Sequence, residues 1–389
     1  MLDFKKASLV KLLEHKTMYY DKIDFSIVEK AWDKLSSKIK LPYVIHIVGT
    51  NGKGSTGRFL ASYLVEKSFK TLHYSSPHIL KFNERIWLNG KNSSDLELEI
   101  GHKNLQELLD IKLLEKLTYF EYTTLLALTL STHMDYLVLE AGLGGEFDAT
   151  NVVPSDVTLV TTIGLDHQSF LGNTIEEIAK TKLRSVDKKM IIGYQEFDEV
   201  FKVANEVKLE LKEEKNLDIE IKSVENFDDY KLPTSFANYL NKNLSLVIEL
   251  LKDLQIEVDT NLFGKTELFG RCQKVLPNVT IDVGHNPLAA KAILNEFKNK
   301  KKVHLIYNSY KDKDYASVLS ILKPIIDEIT IIDIDDRMCD KNNLLEICNN
   351  LNIMVTSFSK IENSKNYLIF GSFLVVEKFL KQMGRFNEE

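Results

Sequence analysis

The stretch from Tyr43 to Val65 constrains this chain more than any other. Val44-Ile45-His46-Ile47-Val48, apolar and partly β-branched, runs into Gly49-Thr50-Asn51-Gly52-Lys53-Gly54-Ser55-Thr56, and an apolar, helix-like run from Arg58 to Val65 follows. That order reads as strand, phosphate loop, helix. Glycines let backbone N–H groups turn inward around phosphate oxygens, and the helix start adds partial positive charge. Lys53 supplies a full charge, while Ser55 and Thr56 offer hydroxyls for magnesium or phosphate. Asn51, Gly52, Lys53, Gly54, Ser55 and Thr56 are therefore the candidate nucleotide contacts. The spelling is irregular: Ile47 stands where the usual pattern has its first glycine, and Gly54 separates Lys53 from Ser55. A plain glycine-rich surface turn is the alternative, and the flanking strand and helix argue against it.

The rest of the chain alternates in the same way. Strands are expected at Tyr43–Val48, Tyr136–Glu140, Val157–Ile163 and Met190–Ile192, with helices such as Phe120–Leu130, Ile175–Lys182 and Asn243–Leu254. The fold class is α/β, a mostly parallel sheet flanked by helices. The charged run from Glu196 to about Tyr230 reads as a solvated helix followed by a small hairpin. Phe263–Arg271, glycine-bearing and aperiodic, reads as a linker. Beyond it βα alternation restarts, with strands at Val279–Val283, Val303–Tyr307, Ile329–Ile334 and Tyr367–Phe370. The expected division is 1–265 for the first domain, 266–274 for the linker and 275–389 for a smaller Rossmann-like α/β domain.

Composition sets outer bounds. Hydrophobic residues are 44% and charged residues 27%, which suits a globular protein. A net charge of −6 without a basic block argues against nucleic-acid binding. No long apolar run suggests a membrane span or signal segment, so a cytoplasmic location is expected. Cys272, Cys339 and Cys348 lack metal-ligand spacing and read as reduced thiols.

Four further strings carry chemistry. Tyr74-Ser75-Ser76-Pro77-His78 leads to Phe82-Asn83-Glu84-Arg85-Ile86, an ordinary proline turn or a metal loop. Glu140 ends an apolar strand before Ala141-Gly142-Leu143-Gly144-Gly145-Glu146-Phe147-Asp148-Ala149-Thr150-Asn151. An acid there is placed to hold a nucleotide's magnesium, or to cap the next turn. His167 follows another strand in Ile163-Gly164-Leu165-Asp166-His167, and Lys182 lies in Ile178-Ala179-Lys180-Thr181-Lys182.

Together these strings resemble the folylpolyglutamate synthase/dihydrofolate synthase family of the Mur ligase superfamily, in order, from about Leu12 to Phe373. The resemblance implies an ATP-dependent ligase that joins L-glutamate to dihydropteroate or a reduced folate through an acyl phosphate. It implies ATP at Asn51–Thr56, Asn243, Arg271 and Asp282, the last two from Leu268-Phe269-Gly270-Arg271-Cys272-Gln273 and Asp282-Val283-Gly284-His285-Asn286-Pro287. It puts magnesium, two ions, on Ser76, Glu140, His167 and Lys182, the lysine carbamylated or else an unmodified amine. A monovalent cation is a further expected cofactor. Lys53, His285 and Lys182 are the expected catalytic residues. Phe120, Glu121, Asp148 and Ala149 are the expected pterin contacts, with Phe120 equally readable as core, and Ile23-Asp24-Phe25 is similar to the family's pterin loop. A monomer is expected. Two spellings depart from the family: Glu146 replaces an arginine, and Thr181 with Leu183-Arg184 replaces the residues around the lysine. The alternatives weighed are a UDP-muramyl peptide ligase and a P-loop NTPase module without ligase activity.

Overall fold

The central strands of each sheet are short, apolar and buried on both faces, as parallel strands between helices must be, while edge strands such as Lys91–Asn92 and Glu220–Ser223 are mostly polar and exposed or half-buried. The computed structural model describes residues 3–17, 24–225, 232–233, 236–334 and 337–384; Ile23 of the pterin-loop string lies outside them. The chain divides into two compact units, residues 1–230 with 242–266, and residues 231–241 with 267–389.

The first unit holds β1 (Tyr43–Val48), β2 (Thr71–Tyr74), β3 (Ile86–Leu88), β4 (Lys91–Asn92), β5 (Tyr136–Glu140), β6 (Val157–Val160), β7 (Lys189–Ile192) and β8 (Glu220–Ser223). Their order is β4-β3-β2-β5-β1-β6-β7-β8. β3 pairs antiparallel with β2 and β4, and the remaining pairs are parallel. Separate apolar cores among the described residues cover parts of the sheet. One gathers Leu12, Val28, Leu72, Leu105, Tyr122 and Leu139, and another Val160, Ile178, Leu183, Val203 and Val207.

The chain winds outward from β1 in both directions, so a crevice opens beyond its carboxyl end, the position at which open α/β sheets bind ligands. Among the loops that leave the sheet on that side are those after β1, β2, β5 and β6. β6 stops at Val160, short of the expected Ile163, because the backbone beyond it serves the phosphate loop. Thr162 O accepts from the N–H groups of Thr50 (2.9 Å) and Asn51 (3.1 Å).

The charged run forms the helix Glu199–Lys215, as its composition suggests. Its successor β8 lies parallel to β7, reached through that helix, and the rest of the expected hairpin, residues 226–230, lies outside the described residues.

The second unit carries β9 (Gln273–Leu276), β10 (Val279–Ile281), β11 (Val303–Tyr307), β12 (Ile326–Ile331), β13 (Met354–Val355) and β14 (Tyr367–Phe370), ordered β13-β12-β11-β14-β10-β9. Only β9 is antiparallel, against β10. Helices Pro287–Phe297, Tyr315–Leu322, Lys341–Asn350 and Phe373–Gln382 complete the alternation. Pro287 sits at the first helical turn, where no N–H is needed. Residues 231–241 belong to this unit: Tyr239 packs on its core and its hydroxyl donates to Asp282 at 2.9 Å.

Candidate active site

In the first unit the site begins where β1 ends. Gly52 adopts φ +95°, a conformation that turns the chain into the helix Lys53–Glu66. The N–H groups of that helix's first turn have no carbonyl one turn earlier to bond, and they are the natural anion donors. Ser55 Oγ donates to Gly52 O (3.2 Å) and Lys53 Nζ to Gly49 O (3.1 Å). Thr56 Oγ1 is buried and has no hydrogen-bond partner. A buried hydroxyl costs free energy unless something accepts or ligates it, so this orphaned oxygen fits a cation bound with the phosphates.

Asn243, carried by the helix Leu240–Asp253, touches the loop itself. Its Nδ2 donates to Ser55 Oγ at 2.9 Å, and its Oδ1 lies 2.6 Å from where a Cβ on Gly52 would stand. Gly52 thus has two reasons to be glycine, its φ and this contact.

The loops after β2 and β5 meet directly. Ser76 N donates to Glu140 Oε2 at 3.2 Å, and Glu140 is buried at the end of its strand. The Glu140 carboxylate and the Ser76 hydroxyl are hard oxygen ligands of the kind magnesium prefers, and magnesium keeps open positions for phosphate and water. His167 has φ +51°, its N–H donates to Asp166 Oδ1 at 2.8 Å, and its Nε2 lies 4.0 Å from that oxygen. Asp166 itself is buried and was not singled out in the sequence, although it stands directly before the histidine.

Lys182 is the most unusual group. It is buried on the helix Ile175–Leu183, with Nζ 2.7 Å from Leu143 O. Burial, and after it the charge of Lys53, push its amine down to about 7, while Asp148 and Asp166 pull the other way. Near neutral pH a large share of this amine is uncharged.

Two of the expected pterin contacts, Phe120 and Asp148, meet at Gly142. A Cβ there would sit 2.7 Å from Phe120 Cζ and 3.2 Å from Asp148 Oδ2. Phe120 is half-buried, with its ring centroid 6.0 Å from that of Tyr74. Asp148 accepts from Gly144 N (3.0 Å), Thr150 N (3.0 Å) and Thr150 Oγ1 (2.6 Å), so its carboxylate shapes the loop, and Ala149 is buried beside it. The Glu121 carboxylate caps its own helix, accepting from Thr118 N (2.9 Å) and Thr118 Oγ1 (2.8 Å), and burial raises its pKa.

Sequence reading passed over Arg85. Its guanidinium is buried, donates from Nε to His78 Nδ1 at 2.8 Å and lies 5.1 Å from the Tyr119 ring centroid. The signal was present in the quoted Asn-Glu-Arg-Ile string, but nothing local told a buried arginine from a surface one.

The second unit holds the other expected residues. Asp282 is buried and accepts from Cys272 N (2.8 Å), Tyr239 Oη (2.9 Å) and Gly284 N (2.7 Å); burial raises its pKa. Arg271 stacks 5.3 Å from the Phe373 ring centroid. His285 Nδ1 lies 3.2 Å from Val283 O, just before Asn286 caps the helix Pro287–Phe297.

No protein-family model matches the chain. A dihydrofolate synthase/folylpolyglutamate synthase of Escherichia coli K12 is 33% identical over 321 residues, 74% of this chain and 72% of that protein. The chain belongs to the dihydrofolate synthase/folylpolyglutamate synthase family. Two solved structures extend the likeness to the whole fold of the family. The crystal structure of Helicobacter pylori folylpolyglutamate synthetase is 35% identical, with a TM-score of 0.75, covering 97% of this chain and 98% of that one. Escherichia coli FolC in complex with DHPP and ADP is 26% identical, with a TM-score of 0.83, covering 98% and 99%. The α/β architecture read from the sequence is the architecture of this family.

Proposed function

We infer that this chain is an ATP-dependent ligase that joins L-glutamate to the carboxyl group of dihydropteroate or of a reduced folate. Family membership carries the reaction. One observation supports its placement: the phosphate loop, Ser76–Glu140 and the Lys182 amine all lie on loops or helices at the carboxyl edge of one sheet.

The N–H groups at Lys53–Ser55 and the Lys53 ammonium hold the ATP phosphates in this reading. Thr56, Ser76, Glu140 and His167 would hold magnesium, which neutralises phosphate charge as it develops. The substrate carboxylate takes the terminal phosphoryl group and ADP leaves. The glutamate amine then attacks the acyl carbon, the C–O bond to phosphate breaks, and the amine gives up a proton. Little nucleophilic machinery is required; alignment and charge supply the rate. Phe120 offers a face for the pterin ring, and Asp148 with Ala149 shapes the wall beside it. Arg271, Asp282 and His285 are assigned to ATP and the transferred phosphate, with Asp282 acting through the turn it organises.

A neutral Lys182 amine can add carbon dioxide, forming a carbamate and releasing a proton. Burial, which disfavours the ammonium, supports that assignment. Labelled bicarbonate should give a carbamate signal by carbon-13 NMR that disappears in Lys182→Met.

The testing experiment is phosphate release from ATP with glutamate and either dihydropteroate or tetrahydrofolate. Release that requires both acid and amine is expected. Release independent of glutamate would favour an NTPase module, and turnover only with a UDP-muramyl acid would favour the peptide ligase. Product length under excess glutamate separates single addition from chain extension.

A further inference from the structure

The two places where the sequence departs from the family's spelling meet in space. Arg184 Nε donates to Glu146 Oε2 at 2.7 Å and Nη2 to Glu146 Oε1 at 3.1 Å, a two-pronged pair. The remaining donors of Arg184 reach the helix Glu199–Lys215, at Glu210 Oε2 (2.9 Å) and Glu214 Oε2 (2.6 Å). The Arg184 and Glu146 side chains are 13% and 20% exposed, so water and salt screen this pair less than an ordinary surface bridge.

The backbone is joined at the same place. Glu146 N donates to Thr181 O at 3.0 Å. Gly145, at φ +136°, lies so close that a Cβ would stand 2.2 Å from Thr181 O. One residue on, Lys182 reaches back to Leu143 O at 2.7 Å. One turn of helix, Thr181 to Arg184, therefore grips the loop at Leu143 and again at Glu146. The loop needs such a grip. Gly142, Gly144 and Gly145 bring no side chains to pack, and Phe147 is 59% exposed. Ordering so glycine-rich a segment is entropically costly.

We propose that the Glu146–Arg184 pair is a positioning clamp that seats the Gly142–Asp148 loop on the helix bearing Lys182, and so fixes where the Lys182 amine and the folate-binding wall at Asp148 stand. Glu146 and Arg184 are positioning residues, acting through the loop. The proposal rests on the roles of Lys182 and Asp148 given under the proposed function.

Three single variants test it. Glu146→Gln removes the loop arm and leaves Arg184 paired with Glu210 and Glu214. Glu214→Gln removes only an exposed outer arm. Lys182→Met tests the underlying reading. For each, kcat and KM for folate substrate, ATP and glutamate are measured with bicarbonate varied. Glu146→Gln is expected to lower kcat/KM for the folate substrate tenfold or more and to raise the bicarbonate needed for half-maximal turnover. Its KM for ATP should stay within twofold, and Glu214→Gln should stay within twofold of the parent throughout. If Glu146→Gln folds poorly, Glu146→Asp, too short for both prongs, should give a milder form of the same pattern. Folded Glu146→Gln with parent kinetics, or a loss that follows only the folded fraction, overturns the clamp. An active Lys182→Met overturns the reading beneath it; an inactive Lys182→Met beside a normal Glu146→Gln overturns the clamp alone.

Discussion

Lys182 is a residue kept at the expense of stability. A buried amine without a carboxylate partner costs free energy whether it is charged or neutral. Its pKa falls from 10.5 to about 7 on folding. Between those values the unfolded chain binds more protons than the folded one, so this group's contribution to stability rises with pH through that window. Lys182→Met should therefore stabilise the nucleotide-free, metal-free protein by on the order of 1–3 kcal/mol near pH 7. The gain should shrink as pH approaches 10.5, while turnover is lost. Denaturant unfolding at pH 7 and pH 9.5 checks it; a Met variant less stable at both would contradict the account. Sequence made Lys182 a candidate only through the family's motif. Its burial and the closeness of Lys53 are tertiary facts.

At the scale of elements, the legible parts were those with a local cause. β1, β5, β11 and β14 match the expected bounds because apolar runs and turn residues delimit them. Asn286 and Pro287 announce their helix in the same local way. The parallel seat of β8 beside β7 has no local signal because strand partners are chosen by the sheet: Glu220 bonds Lys188 across an intervening helix. Glu146 looked like an isolated oddity, and its partner Arg184 lies 38 positions away in the chain. Gly145 belongs to this scale too. Replacing it with Ala places a Cβ against Thr181 O at a φ that L-residues avoid, and separates the loop from its helix. We expect Gly145→Ala to cost about 2–4 kcal/mol of stability, or the folate-dependent rate if the loop lifts instead. Thermal unfolding with folate-dependent turnover reads both, and a variant normal in each would remove the close contact as a constraint.

For the whole molecule, pH acts through buried imidazoles. Burial depresses the pKa of His73 well below 6.5 and that of His46 as well, and His73 has no hydrogen-bond partner for either ring nitrogen. Both stay neutral when folded and are protonated when unfolded below their ordinary value. Stability should thus fall as pH drops below about 6.5, by up to about 1.4 kcal/mol per pH unit for each. Buried carboxylates with raised pKa, among them Asp187 and Asp282, oppose this from the more acidic end. Unfolding free energies at pH 7 and pH 5.5 should differ in that direction, and a loss at the higher pH would refute the assignment. Among the described residues no helix is long and apolar enough to cross a membrane.

In the proposed reaction, phosphate passes to the substrate carboxylate before glutamate attacks. Dihydropteroate with both carboxyl oxygens labelled with oxygen-18 tests this in a single turnover with ATP and glutamate. Inorganic phosphate carrying one oxygen-18 per product amide is the predicted result. Unlabelled phosphate, with the label appearing in water or in AMP, would contradict it.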